Sequence, residues 1–177
     1  IDVNIALDCA ANEFHSSDGY IVSDGKSPIS SMELVEFYSE LCKKYPIISL
    51  EDPFSESDVN AWQQLTAKLG RQVKIVGDDL FVTNKKKLAI GIEKKQANAV
   101  LIKMNQIGTL TETLDCIKLA KQSDFTTITS HRSGETEDTM IAHLAVATNS
   151  PYIKAGAIAR TDRVCKYNEL IRIQELL

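Results

Sequence analysis

The chain has 177 residues, 44% of them hydrophobic, and a net charge of −4. These values indicate one domain with a sizeable core. Mild acidity without a Lys/Arg stripe argues against nucleic acid as a direct partner, and no apolar run approaches the roughly 20 residues that a membrane span requires. Four scattered cysteines without metal-ligand spacing favour buried thiols in a reducing cytoplasm. The chain begins with Ile1 inside a strand-like segment, so we interpret it as a fragment whose natural N-terminus is absent.

Six short apolar segments alternate with stretches of helical period. Each segment ends in polar or charged residues, and together they span residues 3–8, 47–51, 73–78, 99–103, 126–130 and 152–154. Helix starts are predicted at the capping box Ser30–Glu33, at Ser57–Asp58, after Asn84 and at the cap Thr109. The one irregular stretch, Phe14–Ser31, is interpreted as a surface loop with a small hairpin around Asp18, Gly19 and Tyr20.

This alternation predicts an α/β fold with a parallel sheet covered by helices. Both a doubly wound open sheet and a TIM-type (β/α) barrel accommodate six such units. A Rossmann sheet carries a Gly-rich phosphate loop after its first strand, which this sequence lacks, whereas functional residue types follow every strand, as in a barrel. A full barrel has eight strands in about 250 residues, so the sequence predicts a partial barrel.

Carboxylates end three successive predicted strands, at Asp8, Glu51 and Asp78. Burying them together without a counter-charge would cost several kcal/mol each, and a divalent cation resolves that conflict. Because the ligand set contains oxygen alone, it favours Mg²⁺ over Zn²⁺. Any one of these acids alone would be interpreted as a solvated strand end or a helix cap.

Lys103 and Lys154 end two further strands. Lysines in such positions usually snorkel or pair with an acid, for which Asp79 or the carboxylate cluster is available. The functional alternative is a lysine whose pKa is lowered from about 10.4 toward neutrality, so that it acts as a base.

A third group of functional residue types follows the strand at 126–130. The run from Ser130 to Thr139 places His131, Arg132 and Ser133 at a strand end, before a predicted helix at 140–146. An arginine fork and a helix N-terminus suit an oxyanion such as phosphate. The acids at positions 135, 137 and 138 are interpreted as the first turn of that helix. The site would thus combine metal-binding carboxylates, two lysines and residues that bind an anion. This combination suits abstraction of a proton α to a carboxylate in a phosphorylated substrate.

Long motifs at every strand end make the chain resemble enolase (phosphopyruvate hydratase), with details closer to the bacterial members. The motifs lie at residues 7–10, 51–54, 77–84, 103–109, 130–139 and 154–157. The resemblance implies that residues 1–177 are the C-terminal barrel domain and hold its last six βα units. The N-terminal domain and the first two barrel strands are then absent.

The resemblance further implies Mg²⁺-dependent, reversible dehydration of 2-phosphoglycerate to phosphoenolpyruvate, a cytoplasmic step of glycolysis. The residues that match the family's Mg²⁺ ligands are Asp8, Glu51 and Asp78. Lys103 matches the base, and Lys154 matches a lysine that contacts the substrate. Arg132 and Ser133 match the family's phosphate contacts, and His131 matches an active-site histidine with a supporting role in substrate binding. One departure is His143, where the family usually has Asp.

The resemblance places the family's general-acid glutamate and mobile-loop serine before Ile1. We therefore expect residues 1–177 alone to be inactive and to associate, while the full-length protein forms dimers or larger homo-oligomers. One alternative is another enolase-superfamily acid dehydratase, although those lack the Ser130–Gly134 run. The other is a non-enzymatic role, such as plasminogen binding at the cell surface or partnership with RNA-degradation machinery. For that role the basic cluster Lys85–Lys87 is a candidate, although a solvated helix start is the simpler interpretation.

Overall fold

The computed structural model describes residues 3–23 and 27–177, so residues 24–26 of the predicted surface loop and Ile1 lie outside the described part. Six strands form one parallel sheet in the order of the sequence, and the sheet curls into a half-barrel. Its strands are β1 (Ile5–Asp8), β4 (Ile47–Glu51), β5 (Lys74–Gly77), β6 (Ala99–Ile102), β7 (Thr126–Ser130) and β8 (Tyr152–Lys154). The partial barrel predicted from the alternating pattern is confirmed.

Helices connect these strands on the outside of the sheet. They are α1 (Ser31–Lys44), α2 (Val59–Leu69), α3 (Lys85–Glu93), α4 (Met104–Ile107), α5 (Leu110–Gln122), α6 (Met140–Ala147) and α7 (Thr161–Leu176). After β1, a 3₁₀ turn (Ala11–Phe14) leads into the predicted hairpin, formed by β2 (His15–Ser16) and β3 (Gly19–Tyr20).

The predicted caps are confirmed at the starts of α1, α2, α3 and α5. At α1, the Ser30 side chain accepts from the Glu33 backbone N–H (3.3 Å), and the Glu33 carboxylate accepts from the Ser30 N–H (2.8 Å). This capping box satisfies donors that a helix N-terminus leaves free. The Lys85–Lys87 cluster lies in the first turn of α3, where Lys85 pairs with Asp115 across 3.2 Å and is half exposed. This geometry matches a solvated helix start.

The assignment of residues 135, 137 and 138 to a helical first turn is wrong. Helix α6 begins at Met140, and the segment from 131 to 139 is a loop. Asp138 alone touches the helix start, where its carboxylate accepts from the Met140 N–H at 2.9 Å. Glu135 instead turns inward, accepting from the Arg132 N–H (2.9 Å) and pairing with Lys166 (3.0 Å). A buried charge pair therefore outweighs the helix-dipole preference that the sequence suggested.

The main core lies between the sheet and its helices. Its largest fully buried aromatic side chains include Trp62, Tyr20, Phe54 and Phe81. A second, smaller cluster consists of Val76, Ala99, Leu101 and Ile128, from the neighbouring strands β5, β6 and β7. Apolar residues on both faces of these strands explain why their sequences are nearly continuous hydrophobic runs.

Phe81 packs against two glycines, and this contact gives a stability prediction. A Cβ placed on Gly91 would lie 2.3 Å from Phe81 Cε1 and 2.7 Å from its Cζ. Alanine would gain about 1 kcal/mol of helix propensity, but overpacking costs about 1–3 kcal/mol and Phe81 is 1% exposed. We expect Gly91→Ala to be net destabilising in urea unfolding. Gly134→Ala is the control, because no heavy atom lies within 4 Å of its added Cβ; equal stability of the two variants would contradict the packing argument.

All four cysteines are free, as the sequence analysis expected. Cys116 is buried and the other three are half-buried. Burial raises the pKa of both Cys9 and Cys116 to about 11, so these two thiols stay protonated near neutral pH. Within residues 3–23 and 27–177, no helix combines the length and apolar character needed to cross a bilayer.

Candidate active site

The register of the sheet brings the predicted strand-end residues to one edge. Asp8 lies beside Glu51 in the β1–β4 pairing, and Ser130 lies beside Lys154 in the β7–β8 pairing. Parallel strands in sequential order place all their carboxyl ends on the same side, which is where ligands bind in such folds. The structure therefore assembles side chains that are up to 146 residues apart in the sequence.

Lys154 joins two of the predicted metal-ligating acids. Its Nζ lies 2.8 Å from Asp8 Oδ2, and 2.9 and 3.0 Å from the two carboxylate oxygens of Glu51. Burial opposes the charged ammonium, but the hydrogen bonds and charges of Asp8 and Glu51 outweigh it and raise the pKa of Lys154. Lys154 is therefore a permanent cation at neutral pH, suited to binding negative charge.

Lys103 and the third predicted ligand, Asp78, form a second ion pair. The Lys103 and Asp78 side chains are 15% and 11% exposed, so water screens the pair only weakly. Gln106 donates to the other Asp78 oxygen at 3.0 Å, and its own carbonyl accepts from the Thr83 hydroxyl at 2.9 Å. Both oxygens of Asp78 are thus held, one by Lys103 immediately after β6 and the other by Gln106 of the short helix α4.

Two consecutive β-branched residues in the left-handed region support this arrangement. Val82 and Thr83 have φ values of 44° and 56°, a conformation that costs β-branched residues about 1–3 kcal/mol each. Thr83 is fully buried, and its hydroxyl also accepts from the Lys103 backbone N–H at 2.9 Å. The strained turn therefore fixes Lys103, which the sequence predicted as a site residue, and Gln106. The sequence assigned no role to Thr83 or Gln106.

Asp52 is a buried acid whose role the sequence did not indicate. Its two carboxylate oxygens accept from the backbone N–H groups of Asp78 (2.9 Å) and Asp79 (2.8 Å). Burial raises the pKa of Asp52 to about 7, although these hydrogen bonds oppose the shift. Asp52 thus anchors the turn that presents Asp78, and the acidic pair Glu51–Asp52 at a strand end was the available sequence signal.

Charge at this edge favours a divalent cation. Ligand oxygens of Asp52, Asp78 and Asp79 lie within 4.8 Å of one another, a grouping that shares only Asp78 with the predicted triad. Both carboxylate oxygens of Asp52 already accept backbone N–H groups, so this side chain anchors the turn at Asp78 and Asp79. We therefore retain Asp8, Glu51 and Asp78 as the predicted metal ligands. Burial, with the charges of Asp8 and Asp78, raises the pKa of Glu51 to about 7 despite Lys154. Five carboxylates against two ammonium groups fit an oxygen-ligated cation such as Mg²⁺.

The loop of residues 131–136 forms the other side of the site. The guanidinium of Arg132 donates to Asn105 Oδ1 at 2.9 Å, which holds it beside the segment that follows Lys103. His131 and Ser133 follow the same strand end, as predicted. The backbone N–H of His131 donates to the backbone carbonyl of Lys154 at 2.9 Å. Burial, followed by the charges of Arg163 and Lys154, lowers the pKa of His131, so this imidazole is neutral near pH 7.

A cavity of about 240 Å³ opens inside the half-barrel next to these groups. Asp8, Glu51 and Lys154 line its polar part, and Leu7 and Ile128 belong to its apolar wall. Polar groups that converge at the end of an apolar cavity are typical of sites for small ligands. The departure at His143 lies elsewhere, since His143 pairs with Glu169 on α7 at 3.0 Å.

Comparison with known protein families matches residues 1–177 to the family described as Enolase, C-terminal TIM barrel domain. The chain belongs to this family. This membership agrees with the half-barrel topology and supports a function within the enolase superfamily. Enolase-superfamily proteins typically bind Mg²⁺, in agreement with the acidic strand ends. The individual roles of the site residues, and the closer likeness to bacterial enolases, stay predictions.

Proposed function

We propose that this domain carries the catalytic groups of an Mg²⁺-dependent hydro-lyase that interconverts 2-phosphoglycerate and phosphoenolpyruvate. The observation that carries the proposal is the junction of two lysine–carboxylate pairs with the loop of Arg132 at one edge of the sheet. Acidic and basic groups for proton abstraction thus lie beside groups that suit a phosphate.

In the proposed reaction, Lys103 in its neutral form takes the proton from C2 of the substrate. The C–H electron pair moves into the carboxylate to form an enolate dianion. That pair then forms the C2=C3 double bond as the C3–O bond breaks and hydroxide leaves with its bonding electrons. Asp78 would stabilise the ammonium that Lys103 becomes, through the ion pair seen in the structure. Lys154, already cationic, would contact the substrate carboxylate and offset its rising negative charge.

Asp8, Glu51 and Asp78 are the residues that would hold the metal ion. When bound, Mg²⁺ supplies the concentrated positive charge that a developing dianion requires. On the phosphate side, Arg132 offers a planar fork of donors, with Ser133 and neutral His131 as further hydrogen-bonding groups. The resemblance places the general acid for the departing hydroxide outside residues 1–177.

The test is formation of phosphoenolpyruvate by the full natural chain, followed by ultraviolet absorbance. We expect turnover of 2-phosphoglycerate that requires Mg²⁺ and is abolished by a chelator, and no comparable turnover of unphosphorylated glycerate. Residues 1–177 alone are expected to be inactive. Equal turnover of glycerate would contradict the assignment of the Arg132 loop to phosphate and would favour another acid dehydratase of the superfamily.

A further inference from the structure

Helix α7 sends two buried cations beneath the loop of residues 131–136. Arg163 is 8% exposed and Lys166 is fully buried, and they lie three residues apart on one face of the helix. Lys166 pairs with Glu135 at 3.0 Å and also donates to the Thr136 carbonyl. Buried cations are costly unless they are fully paired. The pairing of Lys166 with this loop therefore ties the loop to α7.

Arg163 reaches three consecutive residues of the loop. Its Nη1 contacts His131 Nδ1 and donates to the Arg132 carbonyl at 2.8 Å, while Nη2 donates to the Ser133 carbonyl at 2.7 Å. Its Nε lies 3.1 Å from the carboxylate of Asp162, which balances the charge. The planar fork of arginine can serve these acceptors at once, and an ammonium cannot.

This contact decides which ring nitrogen of His131 carries the proton. A guanidinium has donors and no acceptor, so Nδ1 must accept and must be unprotonated. The neutral imidazole then carries its proton on Nε2, which becomes a hydrogen-bond donor. The same guanidinium holds two carbonyl dipoles of the loop on the side of α7, where they do not face an anion.

Gly156 gives an independent sign that space is reserved for this contact. A Cβ on Gly156 would lie 2.8 Å from Arg163 Cδ and 3.1 Å from His131 Cε1. Gly156 also has a φ of +86°, which disfavours any other residue. The backbone after β8 therefore passes close enough to confine both side chains.

We propose that Arg163 is a positioning residue of the anion-binding loop, which fixes the Nε2-protonated tautomer of His131 and orients Arg132 and Ser133 for a phosphate group. This inference rests on the proposed function for the identity of the anion. Arg163 touches no reacting atom in this proposal and acts through the loop.

The test compares Arg163→Met, Arg163→Lys and the control Arg172→Met in the full natural chain. Arg172 lies on the same helix, is 63% exposed and pairs only with Glu169 in the described structure. We expect Arg163→Met to raise both KM for 2-phosphoglycerate and Kd for inorganic phosphate by about tenfold or more, with a smaller change in kcat. Arg163→Lys should recover part of this loss, and Arg172→Met should resemble the wild type.

Nitrogen NMR of His131 gives the readout that a merely structural role would not move. The wild type should show one tautomer with an unprotonated, hydrogen-bonded Nδ1, and Arg163→Met should show exchange between tautomers. If Arg163→Met does not fold, Arg163→Lys, which keeps the charge but not the planar fork, should show a smaller change of the same kind in the His131 signals and in phosphate binding. Unchanged His131 signals and unchanged phosphate binding in the folded variants would overturn this inference alone. A wild type that binds phosphate but does not turn over 2-phosphoglycerate would instead overturn the proposed function.

Discussion

Replacing Lys103 with methionine is expected to lower kcat for 2-phosphoglycerate on the order of 10²- to 10⁴-fold or more, because the proposed base is lost. Methionine keeps much of the side-chain length and hydrophobic stem but cannot accept a proton. KM should change less, since Arg132, Lys154 and the metal-binding acids stay in place. The measurements are steady-state turnover and exchange of the C2 hydrogen with deuterated solvent, both made with the full natural chain.

Exchange at C2 separates the role of Lys103 from a general loss of structure. Removing its ammonium also leaves Asp78 with Gln106 as its remaining side-chain donor, so unfolding is measured in parallel. Lys85→Met is the matched control, because Lys85 is 54% exposed and pairs with Asp115 on a helix. Persistent C2 exchange in Lys103→Met would assign the base to another residue.

The sheet and its functional edge followed from local patterns in the sequence. Alternating apolar strands and capped helices repeat along the chain, and parallel strands in sequential order must place Asp8, Glu51 and Asp78 at one edge. Each of these inferences depends on residues that are close in sequence or on the geometry of a sheet. For this reason they needed no knowledge of which helices pack together.

The support beneath the site could not be predicted in the same way. Arg163 and Lys166 look like the polar face of α7, because Val164, Tyr167, Leu170 and Ile173 mark the apolar face. In the structure the four apolar residues are half-buried, and the two cations are buried as well. Their partners lie about 30 residues earlier in the chain.

Glu135, the acidic partner of Lys166, could not be predicted from the sequence for the same reason. An acid just before a helix fits the preference of helix first turns for negative charge. In the structure, however, Glu135 forms an ion pair with the buried Lys166 of α7. The sequence likewise assigned no role to Thr83, because a left-handed backbone at a β-branched residue leaves no pattern. It assigned none to Gln106 either, because its partners Asp78 and Thr83 lie more than 20 residues away. The sequence therefore predicts the functional groups at the strand ends. It does not predict the long-range contacts that orient those groups.

Removal of metal ions is expected to make the stability of the protein depend on pH through Glu51. Burial raises the pKa of this carboxyl from its usual 4.5 to about 7, so the folded state binds its proton more tightly than the unfolded state. The resulting stabilisation is complete below pH 4.5 and is lost as the pH rises through 7. The loss is on the order of 3 kcal/mol for a shift of this size. Urea unfolding of the metal-free protein at about pH 5 and about pH 8 measures it.

The variant Glu51→Gln isolates this contribution, because Asp52, whose pKa is also raised to about 7, contributes the same sign in both proteins. Metal-free Glu51→Gln should lose less stability between about pH 5 and pH 8 than the wild type does. Excess Mg²⁺ at the higher pH should stabilise the wild type, since binding to the folded state alone shifts the equilibrium, and should stabilise Glu51→Gln far less. Glu36→Gln is the control, as its exposed carboxylate pairs with Lys68 on a neighbouring helix. Identical pH slopes in wild type and Glu51→Gln, together with equal Mg²⁺ effects, would remove Glu51 from the metal site.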